Sequence, residues 1–562
     1  MGNVDLTRHK PDARALDRLG IEASLRLGVL PLRSAGAITP VAVERRADFD
    51  AALPALEQAL GSVVCCRANR NEIERQIAEM RAPTLAARAA LRTQANESCR
   101  AWSGSKLAAF AVFLGLLLAL WGVASPSTLM IFLTIWATLT LMSVTTLRAA
   151  SALVEMKHAR RLSQTWRSQR CIRNPGEPQP IISLLVPLYD EQDIAGRLVS
   201  RLQKLEYDRN RLEVLLVLEA DDKRTRLALE KAHLPGWMRV IHVPSGIIRT
   251  KPRAMNFALD FCRGDIVGIY DAEDAPAPDQ LLKVADAFRT SGPQTACVQG
   301  VLDFYNARQT WLTRCFTIDY ATWFRLVLPG MVRLGFAIPL GGTTVFFRRS
   351  VLEQIGRWDA HNVTEDADLG IRLARRGYRV AFISSVTEEE ATAFVPTWIR
   401  QRSRWIKGYA VTWAVHMRDP LRLLGELGAL RFLGLQILLF GTLSQFILAP
   451  FLWSFWLVLF GLPHPVSSVL PWEAVIGLGV IFLLSEITTL AIAALSVATP
   501  RHRWLIKWVP LMHLYFPLAA IASWKGYAEL IWKPFFWDKT AHGRAPTPRP
   551  EDHDAPPPRH PA

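Results

Sequence analysis

The chain has 562 residues, a formal net charge of +16, 19 Trp and seven Cys, with a pI near 9.8 and a mean hydropathy of +0.14. So basic a balance could mark a nucleic-acid binder. The positive hydropathy and the gathering of Arg and Lys beside long apolar runs, as between Arg148 and Arg173, instead exclude a soluble nucleic-acid protein and point to a lipid bilayer. The Cys residues, including the adjacent Cys65 and Cys66, show neither metal-ligand spacing nor a disulfide framework, which fits reduced cytosolic thiols. Residues 1–100 lack the short basic start and apolar run of a cleavable signal.

In chain order, residues 1–19 are charged and are expected to fray. Short apolar stretches at 28–33, 38–43 and 62–66 alternate with amphipathic helical patterns at 50–60 and 72–80, giving a small α/β module. Residues 81–106 are rich in Ala and Arg and predict a helix approaching the membrane. The runs 107–124 and 128–147 each have the length of a hydrocarbon crossing, with a turn at Ser125-Pro126-Ser127. Basic residues on both flanks predict a hairpin with cytoplasmic ends.

A basic linker leads to about 180, and strands and helices then alternate to about 420. Strands are expected at 181–187, 212–218, 239–243 and 266–270, and helices at 194–205 and 251–262. This alternation predicts a cytosolic α/β domain with a mostly parallel sheet covered by helices. Beyond it, 432–462 predicts one tilted or kinked helix with Pro450 inside, 472–497 predicts a span, and 509–522 suits a re-entrant or interfacial helix. Four spans are expected, with six as the alternative. The Pro-rich tail over 540–562 is expected to be disordered. The division is therefore 1–100, 101–150, 180–420, 430–535 and 540–562.

The hexapeptide Asp271-Ala-Glu-Asp-Ala-Pro276 follows the apolar run 265–270 and belongs at a strand's carboxyl end, where open α/β sheets bind ligands. Clustered carboxylates there suit Mg²⁺ or Mn²⁺ bridging a diphosphate; a solvated acidic turn is the plain alternative. Further motifs follow in order: Val186-Pro-Leu-Tyr-Asp-Glu191, Glu219-Ala-Asp-Asp222, Thr250-Lys-Pro-Arg-Ala-Met-Asn256, Pro339-Leu-Gly-Gly-Thr-Thr344, Thr364-Glu-Asp-Ala-Asp-Leu-Gly370 and Gln401-Arg-Ser-Arg-Trp405.

This ordered set, flanked by apolar helices, resembles the membrane-embedded family 2 glycosyltransferases, such as the cellulose, chitin, hyaluronan and poly-N-acetylhexosamine synthases. The ending Trp537-Asp-Lys-Thr-Ala-His-Gly543 resembles the C-terminal segment of one bacterial branch. The resemblance implies a GT-A-type domain of the bacterial inner membrane that transfers sugar from a nucleotide sugar, expected to be a UDP-sugar, to a growing polysaccharide coupled to export. It implies Asp366 as the base, with Glu365 beside it, and a metal pair Asp271 and Glu273, with Asp274 as the rival for the second place. Glu191, Glu219, Asp222, Lys251 and Asp271 are implied to bind the nucleotide sugar. Gly341, Gly342, Gln401, Arg404 and Trp405 are implied to face the acceptor and diphosphate. The alternatives are transfer of one sugar to a lipid carrier, or a non-catalytic receptor or export scaffold. Residues 21–80 resemble the N-terminal domain of type II secretion ATPases, which implies packing or docking of a regulatory or export partner. They lack the repeated Arg, Gly and Leu pattern of cyclic diguanylate binders.

Overall fold

The computed structural model describes residues 2–33, 36–165, 179–191 and 195–533. The Pro-rich tail and the segment 537–543 lie outside the described residues. Near the N-terminus, β1 (Gly2–Asn3), β2 (Val29–Pro31), β3 (Thr39–Val43) and β4 (Val63–Arg67) form a four-stranded sheet in the order β1-β4-β3-β2. The first residues do not fray as their charge predicts. Gly2–Asn3 pairs with β4 in parallel, and Asp12 caps the helix Ala13–Leu19 through the Arg14 and Ala15 N–H groups. That helix buries Ala15, Leu16 and Leu19, so an apolar face of a few residues outweighs the surrounding charge.

The large sheet contains β5 (Ile182–Leu188), β6 (Leu212–Glu219), β7 (Met238–Val243), β8 (Ile266–Ile269), β9 (Ala275–Pro276), β10 (Thr295–Phe304), β11 (Val345–Arg348) and β12 (Arg379–Glu389). Their order is β7-β6-β5-β8-β11-β10-β12-β9. β5 through β8 pair in parallel. β11 runs antiparallel between β8 and β10, β12 lies parallel to β10, and β9 returns along β12. The carboxyl ends of β5, β6, β8, β10 and β12 therefore share one edge, together with the start of β11. All of β6 is buried, as expected of a strand covered on both faces. The fold is α/β with a mixed, mostly parallel sheet.

Five helical stretches are long and apolar enough to cross a membrane by length and composition: Gly104–Ala124, Pro126–Arg161, Pro420–Leu459, Trp472–Ser496 and Arg503–Trp532. The expected helix over 81–106 is broken. Helix Ala82–Leu91 ends, and Glu97 and Ser98 are then buried against the large domain, so tertiary contacts override the local helical preference. The hairpin's second helix continues to Thr165 through what reads as a linker. Pro450 lies inside the helix Thr442–Leu459, a π-helical turn occupies Gln436–Gly441, and Gly428, with φ of 75° and ψ of 163°, interrupts the helix before the expected stretch.

The last helix, Met512–Trp532, is longer than the predicted 509–522. It runs beside Val395–His416: Trp398 Nε1 donates to the Tyr515 hydroxyl at 3.2 Å and Lys407 Nζ to Glu529 at 3.0 Å. A Cβ on Gly526 would lie 2.8 Å from the Ser403 carbonyl oxygen.

Gly330 marks a close approach between the large domain and the hairpin. A Cβ there would sit 2.0 Å from the Ser151 backbone oxygen on Pro126–Thr165. Gly330→Val must push these backbones apart and should cost about 1–3 kcal/mol, read as a lower thermal midpoint of the detergent-solubilised protein. An unchanged midpoint would show that the contact is not tight.

Candidate active site

A cavity of about 540 Å³ opens at the shared strand edge. Its first wall comes from the ends of β5 and β6: Tyr189, Glu191, Glu219 and, from the loop after β7, Arg249. Buried Arg253 holds Glu219 through bonds of 3.0 and 2.7 Å and donates to the Pro244 carbonyl oxygen at 2.9 Å. Burial raises the Glu219 pKa, and the Arg253 charge opposes that rise. Arg249 pairs with Asp221 and lies 5.5 Å from the Tyr189 ring centroid.

Asp222, implied to bind donor, does not line this cavity. Its carboxylate accepts from the Thr225 N–H at 3.0 Å, the Thr225 hydroxyl at 2.7 Å and the Asp190 N–H at 2.7 Å. Asp222 is thus a helix N-cap that also fixes the loop bearing Glu191.

The second wall holds the acidic hexapeptide. Asp271 and Glu273 face the cavity. Asp274 is fully buried, accepts from the Asp271 N–H at 2.8 Å, and is hydrogen-bonded by the Thr343 hydroxyl. Burial and the charges of Asp271 and Glu273 push the Asp274 pKa far up. Geometry thus separates the two candidates for the second ligand: Glu273 opens to the cavity and Asp274 braces the turn. Lys251, at the start of helix Lys251–Leu259, places Nζ 2.5 Å from Asp271 and 3.1 Å from the Gly342 carbonyl oxygen. Burial works against this ammonium, but the Asp271 and Glu365 charges overcome it and raise its pKa.

Glu365 and Asp366 open the helix Glu365–Arg375 and face Lys251 across the cavity. A Cβ on Gly342 would lie 2.9 Å from Asp366 Oδ2, which explains a side-chain-free residue there. Gly341 donates its N–H to Gln299 at 2.9 Å. Burial raises the Asp366 pKa against the pull of the Ala367 N–H, Lys251 and Arg404. Glu365 is pushed up to about 7 by burial and by the adjacent Asp366 charge.

Gln401, Arg404 and Trp405 of helix Val395–His416 close the third side. Arg402, one residue from Gln401, was not singled out in the sequence. Its guanidinium lies 4.7 Å from the Trp405 centroid and 5.2 Å from that of Trp398, pairs with Asp319, and donates to the Tyr515 hydroxyl at 2.9 Å. Glu389 and Glu390, at the end of β12, also line the cavity. Burial and then the charges of Asp274, Glu273 and Asp271 drive the Glu389 pKa well up. The run Glu388-Glu-Glu390 after an apolar stretch was the available signal, of the same kind as that of Asp271. Arg148, Leu438, Thr442 and Phe446 bring the apolar helices into the lining.

Among the described residues no three His, Cys, Asp or Glu side chains converge as a complete metal cage. Asp271 and Glu273 nevertheless fit a small hard cation, which needs one or two protein carboxylates when diphosphate and water supply its other oxygens.

Because the folded state holds the Glu365 proton up to about 7 against an ordinary 4.5, this group stabilises the fold at acid pH. That contribution fades as pH rises from about 4.5 through 7. Glu365→Gln should therefore raise stability by about 1–3 kcal/mol at pH 8 and by little at pH 4.5. Thermal midpoints across that range test it; an equal effect at both ends would rule out the buried charge as the cause.

Residues 178–408 match the family model described as "Glycosyltransferase like family 2". The probable glycosyltransferase YdaM of Bacillus subtilis (strain 168) is 28% identical over 236 residues, which are 41% of this chain and 55% of that protein. The beta-monoglucosyldiacylglycerol synthase of Synechocystis sp. is 26% identical over 373 residues, 60% of this chain and 75% of that protein. The chain spans about half the length of several curated relatives it matches. Among solved structures, the mannosyltransferase PcManGT from Pyrobaculum calidifontis, in complex with GDP-Man and Mn²⁺, aligns with 70% of this chain and 99% of its own. The TM-score is 0.39 and the identity 19%. The sheet order, not that low score, carries the fold assignment. Over 178–408 the chain is similar to a family 2 glycosyltransferase domain, and the matched stretch includes both carboxylate clusters, Lys251 and the helix segment from Gln401 to Trp405.

Proposed function

We propose that this protein is an inverting, metal-dependent glycosyltransferase of the bacterial inner membrane, using a nucleotide sugar, specifically a UDP-sugar, at its cytosolic face. The observation that carries this reading is the meeting of Lys251, Gly342 and Asp366 in a cavity that Glu191 and Glu219 also line. Asp366 takes the proton of the acceptor hydroxyl, whose oxygen bonds to the anomeric carbon as the bond from that carbon to the diphosphate breaks. Attack from the opposite face inverts the configuration. Lys251 and Arg404 stabilise charge on the departing diphosphate. A divalent cation held by Asp271 and Glu273 supplies further neutralisation of that charge when bound.

Gln401, Arg404 and Trp405 support a glycan acceptor extended to a polysaccharide and passed outward, because an indole can stack on a sugar face. A second reading, transfer of one sugar to a lipid carrier, is favoured by Leu438, Thr442 and Phe446, which carry the cavity into the apolar helices. The glycolipid-synthase names of the relatives favour it too. The module of residues 21–80 is proposed to dock a regulatory or export partner.

Purified protein incubated with Mn²⁺ or Mg²⁺ and a panel of UDP-sugars should release UDP with one donor. Asp366→Asn should lower that rate by roughly 10²–10⁴-fold and Gly342→Ala by roughly 10–100-fold, with UDP binding kept in both. Absence of turnover with every donor, or full turnover in Asp366→Asn, would refute the assignment. Product soluble in organic solvent would select the lipid reading, and product of high mass the polymer.

A further inference from the structure

The segment preceding the first apolar helix enters the catalytic domain at the loop that delivers Glu365 and Asp366. Asp359, 1% exposed, accepts from Ser98 Oγ and the Cys99 N–H, both at 2.8 Å. Asn256, fully buried on the helix that begins with Lys251, donates from Nδ2 to the Ala89 carbonyl oxygen at 2.9 Å and to that of Trp358 at 2.8 Å. Its Oδ1 accepts from the Trp358 N–H at 3.1 Å. Arg92 and Arg357 share Asp260, at 3.3 and 2.6 Å, one residue beyond the same helix. Thr93 Oγ1 adds a bond to the Gly356 carbonyl oxygen at 3.1 Å.

These contacts bind three pieces of chain into one unit: residues 89–99, the helix carrying Lys251, and the loop 356–364. The loop's far end is pinned too, since Thr250 Oγ1 donates to the Ala360 carbonyl oxygen at 2.7 Å and Asn362 Nδ2 to Thr412 Oγ1 at 3.0 Å. The next residues are Glu365 and Asp366. Ser98 Oγ, the Cys99 N–H and Asn256 Nδ2 are buried and matched, so removing one leaves an orphaned polar group and frees the loop to shift. A shift of about 1 Å in a catalytic carboxylate suffices to slow a reaction by orders of magnitude.

We propose that residues 89–99 form a strap that positions Asp366 relative to Lys251, with Ser98, Asn256 and Asp359 as positioning residues. This rests on the transferase reading above. It places a functional part of the catalytic unit outside the matched stretch 178–408, on the chain that links the N-terminal module to the membrane. Whatever docks on that module therefore has a covalent and hydrogen-bonded route to the base.

The test uses the full-length protein in detergent, with turnover expressed per UDP-binding site so that unfolded molecules do not count. Ser98→Ala and Asn256→Ala should each lower kcat by roughly 5–20-fold while the donor KM stays within about twofold, and Ser98→Thr, which keeps the hydroxyl, should recover most of the loss. Asp359→Asn should fall with them, because its amide turns a donor toward Ser98 and Cys99. Wild-type kcat in all three loss variants, or kcat and UDP affinity falling together with no recovery in Ser98→Thr, would overturn the strap and leave the transferase reading intact. A wild-type protein that turns over no donor would overturn that reading and the strap with it.

Discussion

A single partly exposed ammonium organises the candidate site. Lys251 reaches from Asp271 at the end of β8 to the Gly342 carbonyl oxygen before β11, and its charge acts on Glu365 and Asp366 across the cavity. The sheet brings these groups together for a topological reason. The parallel strands deliver carboxylates to one edge, and the antiparallel β11 brings the glycine loop to that edge at its start. In a site shielded from water such charges repel strongly. Burial raises the pKa of Asp274, Glu365, Asp366 and Glu389, and neighbouring carboxylate charges add to that rise at Asp274, Glu365 and Glu389. This surplus of negative charge is the physical basis for proposing a divalent cation, because a cation stabilises the ionised forms that burial disfavours.

Much of the sheet was legible in the sequence, because continuous apolar runs such as 212–218 have few ways to be buried other than as central strands. The acidic hexapeptide was legible for the same reason, since it ends such a run. Spacing did not reveal which of its members face outward. Glu273 and Asp274 are neighbours, and only the Thr343 hydroxyl and the Asp271 N–H decide that Asp274 turns inward. Asp222 illustrates the same limit: a carboxylate just beyond a strand can serve a ligand or cap the next helix, and Thr225 three residues later supplies the capping partners. Arg402 escaped notice because its partners, Asp319 and Tyr515, lie far away in sequence.

The last helix shows what hydropathy can and cannot resolve. Its composition meets the requirement for a membrane crossing. Yet Lys525 and Glu529 lie on it, and both are engaged with the Val395–His416 helix: Lys525 donates to Ser403 Oγ at 3.1 Å and Glu529 accepts from the buried Lys407. A charge that has a partner on a neighbouring helix carries a smaller penalty than a hydropathy sum assigns to it. The charged residues of this helix therefore face the helix that carries Gln401 and Trp405.

The contacts between the N-terminal residues and the catalytic domain are not visible in local sequence pattern. The internal pattern of these residues is periodic, and it predicts strands and helices well. Docking is not periodic. Ser98 and Asp359 are 261 residues apart, and a pair so distant leaves no trace in local composition. The Ala- and Arg-rich stretch after residue 80 looks like a helix because Ala and Arg favour one. It stops being a helix where the buried acceptors of the catalytic domain offer its backbone and side chains better partners. Loss of helical propensity over a dozen residues costs only a few kcal/mol, whereas each buried acceptor left without a donor costs about 1–3 kcal/mol. With the Asp359 carboxylate, the Gly356 oxygen and the Asn256 amide all on one surface, the balance falls to docking, and the chain before the first apolar helix is tied to the loop that leads into Asp366.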